Sequence, residues 1–212
     1  MSALEPETHL DYQLALGYAN ELVELLKPFC ERIEIAGGIR RHKENPHDIE
    51  LVCIPIVENV VAQSTLTSDK KEVQVNYFDS FIKDCIDSKI IQPGDPDKAG
   101  KKAPSGPRYY RLKYKNYKLD IFTVMPPAQW GVIYLIRTGS ADFSHWLVWS
   151  GWNKGIKVVD GQVVESENPL STPEEGDVFR AFGLPWVEPK DRTLEKTKEL
   201  TKLLSKPAQN LS

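Results

Sequence analysis

The feature that most constrains this chain is a short segment in which acidic and apolar residues alternate before an apolar run. Asp48 and Glu50 flank Ile49, and residues 51–55 continue the segment with apolar side chains. Side chains on a β-strand point alternately to opposite faces, so both carboxylates project from the same face. We therefore predict a strand over 49–55 that carries two carboxylates at the open end of a sheet.

A third carboxylate follows in another predicted strand. The residues from Tyr109 to Val124 favour a hairpin, and its second strand carries Asp120. Carboxylates on neighbouring strands offer the hard oxygen ligands that divalent cations prefer. If the two strands are neighbours, Asp48, Glu50 and Asp120 would together form a cage for divalent cations, although Asp-x-Glu taken alone is more typical of a charged strand end.

Apolar spacing predicts several other elements. Apolar residues recur every three or four positions, as on one face of a helix, over Leu10–Phe29 and Val73–Ile91. Alternation predicts a strand over Glu31–Ile35, and a turn is expected to follow at Gly37 and Gly38. Together these elements favour a fold that mixes helices with a sheet.

The C-terminal part carries turn and capping signals. Asp160-Gly161 readily adopts positive φ and predicts the turn of a hairpin. Thr172 is the predicted N-cap of the next helix, with Pro173 at its first position. A final charged helix is expected over Thr193–Ser205.

Positive charge is concentrated in one segment of the chain. The formal net charge of −3 offers no overall attraction to nucleic acid. Lys98–Lys118, however, contains eight Lys and Arg residues and no acidic residue. Interleaved tyrosines in this segment suit contacts with phosphates and aromatic packing. A solvated hairpin with its tyrosines facing the core is the open alternative.

Cysteine content and hydropathy bound the compartment. Cys30, Cys53 and Cys85 are odd in number and far apart, which favours free thiols in a reducing compartment. No apolar run reaches the length of a transmembrane helix, so no membrane association is expected. We expect a cytoplasmic location, which includes association with a nucleoid or, for a viral protein, the host cytoplasm.

Three motifs occur in order along the chain. Gly37-Gly38-Ile39-Arg40-Arg41 is followed, after six residues, by Asp48-Ile49-Glu50. Arg137-Thr138-Gly139-Ser140 comes next, and Pro173–Arg192 closes the series. Together these motifs resemble those of the family X DNA polymerases, the group of nucleotidyltransferases that includes DNA polymerase β. Gly38, Glu50 and Ile136-Arg137 depart from the family's serine, aspartate and Tyr-Phe pair.

The resemblance implies an α+β fold class, with a nucleotidyltransferase palm of mixed sheet and helices followed by a small α/β thumb. The palm is expected over 1–136, with a basic loop and hairpin insertion near 94–118, and the thumb over 137–192. A C-terminal helix and tail would follow over 193–212. About thirty residues precede the first palm strand. We therefore expect the minimal palm-plus-thumb form, without the N-terminal helix-hairpin-helix and lyase domains of larger relatives.

The resemblance also implies a chemistry and the residues that perform it. Asp48, Glu50 and Asp120 would be the catalytic residues and would hold two Mg²⁺ ions, for which Mn²⁺ can substitute. The residues implied to bind the nucleotide are Gly37, Gly38, Arg41, His47, Arg137 and Gly139. Those implied to bind DNA are Lys118, Arg111 and Lys113. Arg137 is explained equally well as a surface arginine.

The implied activity is the addition of deoxynucleotides from dNTP to the 3′-hydroxyl of primer–template or gapped DNA, in short-gap filling by a monomeric repair enzyme. The departure at Ile136-Arg137 leaves template-independent nucleotidyl transfer open, because the family's residues there pack against the sugar. A non-catalytic nucleic-acid-binding module on the same scaffold is the third alternative. Trp130, Trp146, Trp149 and Trp152 are expected in the thumb core rather than as stacking platforms for bases.

Overall fold

The computed structural model describes residues 11–63, 70–96 and 99–204. Within this part of the chain the helices are α1 (Tyr12–Leu26), α2 (Gly37–Arg40), α3 (Tyr77–Asp87), α4 (Trp130–Thr138), α5 (Ala141–Ser150), α6 (Glu175–Ala181) and α7 (Leu194–Leu204). The strands are β1 (Cys30–Ile35), β2 (Ile49–Pro55), β3 (Val57–Gln63), β4 (Lys70–Asn76), β5 (Gln92–Pro93), β6 (Ser105–Gly106), β7 (Tyr109–Tyr114), β8 (Tyr117–Thr123), β9 (Ile156–Val159), β10 (Gln162–Glu165) and β11 (Asn168–Pro169). The expected α+β class is confirmed.

The chain divides into two compact units. The first unit comprises residues 1–35 and 46–125, and the second comprises 36–45 and 126–212. The division at 137 expected from the sequence therefore differs from the structural one. The physical reason is that α4 packs on α5 and α6, and α2 packs on α4. Both helices therefore belong to the second unit.

A mixed sheet forms the centre of the first unit. Its strand order is β1-β2-β8-β7-β5, and β6 pairs with β7. The β2–β8 pair is parallel, while the pairs of β1 with β2 and β7 with β8 are antiparallel. The strand predicted over 49–55 and the hairpin that carries Asp120 are both confirmed. Lys115 and Asn116 form the hairpin turn, both at positive φ.

One face of this sheet supplies the core of the first unit. Helix α1 packs on β1 and β2 through four buried residues, Ala15, Ala19, Leu22 and Leu26. From α3, Phe78 contacts the ring of Tyr110 at a centroid distance of 5.8 Å. The strand residues of this face are also buried: Ile49, Leu51, Cys53, Tyr110, Leu112, Leu119 and Ile121. The opposite face is therefore the one that can hold polar side chains.

The helix predicted over Val73–Ile91 was wrong at its N-terminal end. Residues 73–76 belong to β4, which pairs with β3, a hairpin that the sequence analysis did not predict. The helix begins at Tyr77 because Oδ1 of Asn76 accepts a hydrogen bond from the backbone N–H of Asp79 at 3.0 Å. Asn is a favoured N-cap residue, so this side chain sets the boundary.

The second unit has its own core. Helix α5 packs on α7, and α4 packs on α6. The β9–β10 hairpin turns at Asp160 and Gly161, with φ of 49° and 77°, which confirms the predicted turn. The residues buried together are Val132, Leu135, Phe143, Leu147, Ile156, Val163, Val178, Phe179, Phe182, Leu184, Val187 and Leu200. No helix in the described part of the chain is both long enough and apolar enough to cross a bilayer.

Two predictions of local structure in the second unit are corrected. Helix α6 is capped by Glu174 rather than Thr172, and Asp177 completes a capping box by accepting from the Glu174 N–H. Thr172 is instead buried, and its N–H donates to the side chain of Gln129. The expected turn at Gly37 and Gly38 is the first half of α2.

Candidate active site

The predicted carboxylates lie on one face of the first unit's sheet. Glu50 and Asp120 are register partners in the parallel β2–β8 pair, and Arg111 is the antiparallel partner of Asp120. Partner residues share a face, since side chains alternate along each strand. The strand pairing therefore brings together two acidic positions that are far apart in sequence.

Lys118 connects two of the three predicted acids. Its Nζ lies 2.9 Å from Oδ2 of Asp48 and 3.1 Å from Oδ2 of Asp120. Burial by itself lowers the pKa of Lys118, but the hydrogen bond to Asp48 and the charges of both carboxylates outweigh it, so the pKa is raised. The ammonium thus remains protonated at neutral pH and bridges the two carboxylates.

Two further donors hold the second oxygen of Asp120. The Tyr109 hydroxyl donates to Oδ1 at 2.9 Å, and Arg111 Nε donates to the same atom at 3.2 Å. Burial, followed by the charge of Asp120, raises the pKa of Tyr109, so this phenol stays protonated and able to donate. The hydrogen bond to Asp120 likewise raises the pKa of Arg111. Asp120 is therefore an oriented carboxylate, with a side chain only 6% exposed.

Aromatic packing fixes the Tyr109 ring. It stacks on Phe122 with a centroid distance of 4.8 Å and an interplanar angle of 5°. The sequence analysis did not identify Tyr109 as a site residue. The strand register could have identified it. Tyr109 and Arg111 are two residues apart on β7, as Asp120 and Phe122 are on β8. All four side chains therefore lie on one face, with Tyr109 opposite Phe122 and Arg111 opposite Asp120.

The three predicted carboxylates are ligands of the type that a magnesium ion prefers. Asp48, Glu50 and Asp120 supply carboxylate oxygens, the ligand type that this cation takes, and the Lys118 ammonium already bridges two of them as a cation would. Within residues 11–63, 70–96 and 99–204, no three acidic, histidine or cysteine side chains converge closely enough to hold one metal ion. The expected convergence of the three carboxylates on one ion is therefore not observed, and a metal ion between Asp48 and Asp120 would have to displace the Lys118 ammonium.

The basic segment is partly neutralised within the first unit. Lys113 donates to Asp95 at 2.6 Å, and Lys115 donates to Glu21 at 2.6 Å. The interleaved tyrosines pack inside the unit: Tyr110 is buried, while Tyr114 and Tyr117 contact Tyr18. The alternative of core packing is therefore observed for Tyr110, whereas Tyr114 and Tyr117 are half-buried.

An open cavity lies beside the carboxylates on this face. It has a volume of about 470 Å³ and carries five cations against the single acid Asp95. The cations that line it are Lys101, Lys102, Arg111, Lys113 and Lys118. All three residues expected to bind DNA are therefore in this lining, where excess positive charge can attract phosphate.

Most of the predicted nucleotide-binding residues belong to the second unit. Arg41 donates from Nη1 to the backbone oxygens of Thr138 and Gly139 at 2.6 and 3.0 Å, so it links α2 to the end of α4. Gly37 has φ of 59°, a conformation that favours glycine. The other members lie as follows: Gly38 is buried in α2, Arg137 is exposed in the last turn of α4, and His47 is exposed in the first unit.

A buried charge network in the second unit was not predicted. Arg40 donates to both carboxylate oxygens of Glu175 at 2.8 and 2.7 Å, and Arg192 donates to Oε1 at 2.6 Å. Burial raises the pKa of Glu175, but the hydrogen bonds from Arg40 and Arg192 outweigh it and lower the pKa overall. The Arg40 guanidinium also lies 3.8 Å from the centroid of Tyr134. The signal for this network was present, since all three charged residues lie in the sequence motifs.

Comparison with known proteins agrees with this architecture. Residues 133–193 match the family model of the DNA polymerase beta thumb. Among solved structures, the chain is similar to Leishmania infantum polymerase beta in a ternary P/T complex, with 15% sequence identity and a TM-score of 0.63. The match covers 91% of this chain and 84% of that chain. The chain matches no curated protein sequence.

Proposed function

We propose that this chain adds deoxynucleoside monophosphates from dNTP to the 3′-hydroxyl of DNA. The chain is family X polymerase-like in its thumb sequence and its fold. The proposal rests on one observation: Asp48 and Asp120 both contact the Lys118 ammonium, and Glu50 is the strand partner of Asp120. Two carboxylates that meet at one cation, with a third on the neighbouring strand, suit nucleotidyl transfer, in which negative charge must be neutralised.

Asp48, Glu50 and Asp120 would hold the magnesium ions. When bound, these ions supply charge neutralisation on the triphosphate and lower the pKa of the attacking hydroxyl. Asp120 accepts the proton of that hydroxyl at Oδ2, since Oδ1 already accepts from Tyr109 and Arg111. Tyr109 and Arg111 act as positioning residues, because they fix the direction of Oδ2, which accepts the proton once the Lys118 ammonium that contacts it has moved aside.

Lys118 has a different task in the proposed reaction. Its side chain is 43% exposed, which leaves it room to turn away from the carboxylates. The five cations of the adjoining cavity then attract the phosphates of the primer strand. Gly37, Gly38, Arg41, His47, Arg137 and Gly139 are the residues that we propose for the nucleotide.

The substrate is proposed to be DNA with a short gap, filled by a monomer in a reducing compartment such as the cytoplasm. The thumb match supports DNA as the partner. The three cysteines are free and buried thiols, as suits such a compartment. A role in DNA repair follows from gap filling.

Primer extension tests the proposal directly. Gapped DNA, a recessed primer and a single strand are each supplied with one dNTP or NTP at a time, with Mg²⁺, Mn²⁺ or chelator. We expect metal-dependent incorporation of the dNTP that complements the template. Incorporation that ignores the template would instead establish the template-independent alternative, which the departure at Ile136-Arg137 leaves open. No incorporation with any metal, together with retained DNA affinity, would establish a binding module.

A further inference from the structure

The second unit exposes two indole rings that the sequence analysis expected in its core. Trp149, in the last turn of α5, is 69% exposed, and Trp152, just after that helix, is 56% exposed. Trp146 of the same helix is only partly exposed and donates from Nε1 to Thr201 at 2.8 Å. The expectation was therefore wrong for Trp149 and Trp152, whose side chains are largely exposed and do not belong to the buried cluster.

The two exposed rings form one surface. Their centroids are 5.6 Å apart and their planes differ by 22°. The backbone between them is closely packed, since a Cβ on Gly151 would lie 2.7 Å from the Phe182 ring and 2.9 Å from the Ile156 oxygen. The two rings therefore flank a closely packed segment of backbone. An exposed aromatic pair of this kind offers a flat face for stacking.

Two lysines lie close to the pair, in a segment that Asp142 and Asp160 flank. Residues 143–159 contain two lysines and no acidic residue. Lys157 places Nζ 5.5 Å from the centroid of the Trp152 ring, and Lys154 donates to the backbone oxygen of Phe182 at 2.9 Å. Aromatic faces combined with lysines are the arrangement that binds single-stranded nucleic acid, through base stacking and phosphate attraction.

We infer that Trp149 and Trp152 form a stacking platform for an unpaired base of single-stranded DNA, with Lys157 contacting its phosphate. Duplex DNA does not present a free base face along its length, so the platform selects the unpaired strand at a gap or overhang. The choice of DNA rests on the proposed function, whereas stacking and charge rest on the platform alone.

Binding of oligo(dT) tests the inference without metal or dNTP. Fluorescence anisotropy of a labelled oligo(dT) and a labelled blunt duplex is measured with the full chain and with Trp149→Ala, Trp152→Ala and Trp149→Phe. We expect each alanine variant to bind oligo(dT) about tenfold more weakly, while Trp149→Phe stays within about threefold because it keeps an aromatic face. Duplex affinity should be unchanged. Far-UV circular dichroism checks that each variant is folded.

The salt dependence gives a second readout that a loss of packing would not change. Lys157→Ala should reduce the slope of log K against log salt by about 0.7, the value of one phosphate contact on a single strand. An unchanged slope would remove Lys157 from the site. Exposed Lys190 of the same unit serves as the matched control.

Several outcomes would overturn the inference. Unchanged oligo(dT) affinity in both folded alanine variants would refute stacking, and equal losses for the duplex would refute selection of single strands. A concentration-dependent dimer that Trp149→Ala abolishes would assign the pair to a second copy of the chain. Tighter binding of oligo(U) would assign it to RNA. The proposed function fails separately, since Asp120→Ala should bind oligo(dT) normally even if no variant ever incorporates a nucleotide.

Discussion

Lys118 and Asp48 are joined by a hydrogen bond of 2.9 Å between Nζ and Oδ2, although they are 70 positions apart along the chain. The bond places a fixed positive charge where the proposal needs a divalent cation. The same ammonium also contacts Asp120. Lysine and metal are thus competitors for the same oxygens.

Replacement of Lys118 should strengthen metal binding. We expect Lys118→Met to bind Mn²⁺ about fivefold more tightly than the unaltered chain, because about 1 kcal/mol of competing ion pairing is removed. Without metal the variant should melt at a lower temperature, and added Mg²⁺ should raise its melting temperature more. Mn²⁺ titration followed by electron paramagnetic resonance measures the affinity. Lys115→Met, which breaks a similar ion pair with Glu21, is the control and should leave it unchanged.

Asp120 should be required for chemistry but not for DNA affinity. We expect Asp120→Ala to reduce incorporation by at least about a hundredfold, because a ligand and a proton acceptor are lost together. Single-nucleotide extension and an anisotropy assay with gapped DNA measure the two properties. Asp87→Ala, at the exposed end of α3, is the matched control. Turnover near that of the unaltered chain would contradict the assigned role.

The Tyr109 hydroxyl should contribute to catalysis through its hydrogen bond to Asp120. Tyr109→Phe keeps the stack on Phe122 but removes the donor to Asp120. We expect a loss of about tenfold in incorporation, typical of a group that orients a metal ligand, and of about 1 kcal/mol in unfolding free energy. Tyr117→Phe, whose ring packs on Tyr18, is the control. Equal incorporation by the two variants would contradict the positioning role.

The buried network around Glu175 should dominate the stability of the second unit. Glu175→Gln leaves the fully buried Arg192 without its carboxylate, so we expect a loss of about 3 kcal/mol in unfolding free energy. Glu199→Gln, which breaks an exposed pair with Lys196, should cost less than about 0.5 kcal/mol. Urea denaturation measures both.

The same carboxylate predicts a pH dependence. The pKa of Glu175 in the folded chain is below its usual 4.5. Its contribution to stability is therefore fully present above about pH 4.5 and is lost as the pH falls through the folded value. Denaturation between pH 6 and pH 3 should show a steeper loss for the unaltered chain than for Glu175→Gln. Parallel curves would contradict the role of the charge.

Two glycines should respond in opposite directions to alanine. A Cβ on Gly131 would lie 2.6 Å from the Thr172 oxygen and would collide with the backbone of Glu174, so Gly131→Ala should cost about 1–3 kcal/mol. A Cβ on Gly17, within α1, meets nothing within 4 Å. Gly17→Ala should therefore add about 0.5–1 kcal/mol. Thermal melts of the two variants provide the comparison, and a change of the same sign would contradict it.

The sequence was sufficient for β2 and for the turn between β9 and β10, where a local signal decides the outcome. The alternation around Ile49 predicted β2, and the Asp160-Gly161 pair predicted the turn of the β9–β10 hairpin. Asp48 and Asp120 could be paired only through the resemblance, since a parallel pairing of strands leaves no local signal. The match of the thumb segment agrees with that resemblance.

Features that depend on tertiary packing were beyond sequence reasoning. Trp149 and Trp146 have the same side chain and lie on the same helix, yet only one is turned towards Thr201. Lys118 was expected to contact DNA, and nothing in its own segment indicated that it would bridge two carboxylates. The division of the chain was also hidden, because residues 36–45 join a unit whose other members begin at 126.

The position of β8 in its sheet also has a consequence for biosynthesis. Strand β8, which carries Asp120, lies between β2 and β7 in the sheet. Asp48 and Glu50 are therefore synthesised long before the strand that places Asp120 beside them. Long-range strand pairing of this kind is late in folding. A nascent chain arrested before residue 117 lacks Asp120, so we expect the proposed activity to appear only after β8 has been synthesised and the sheet is closed.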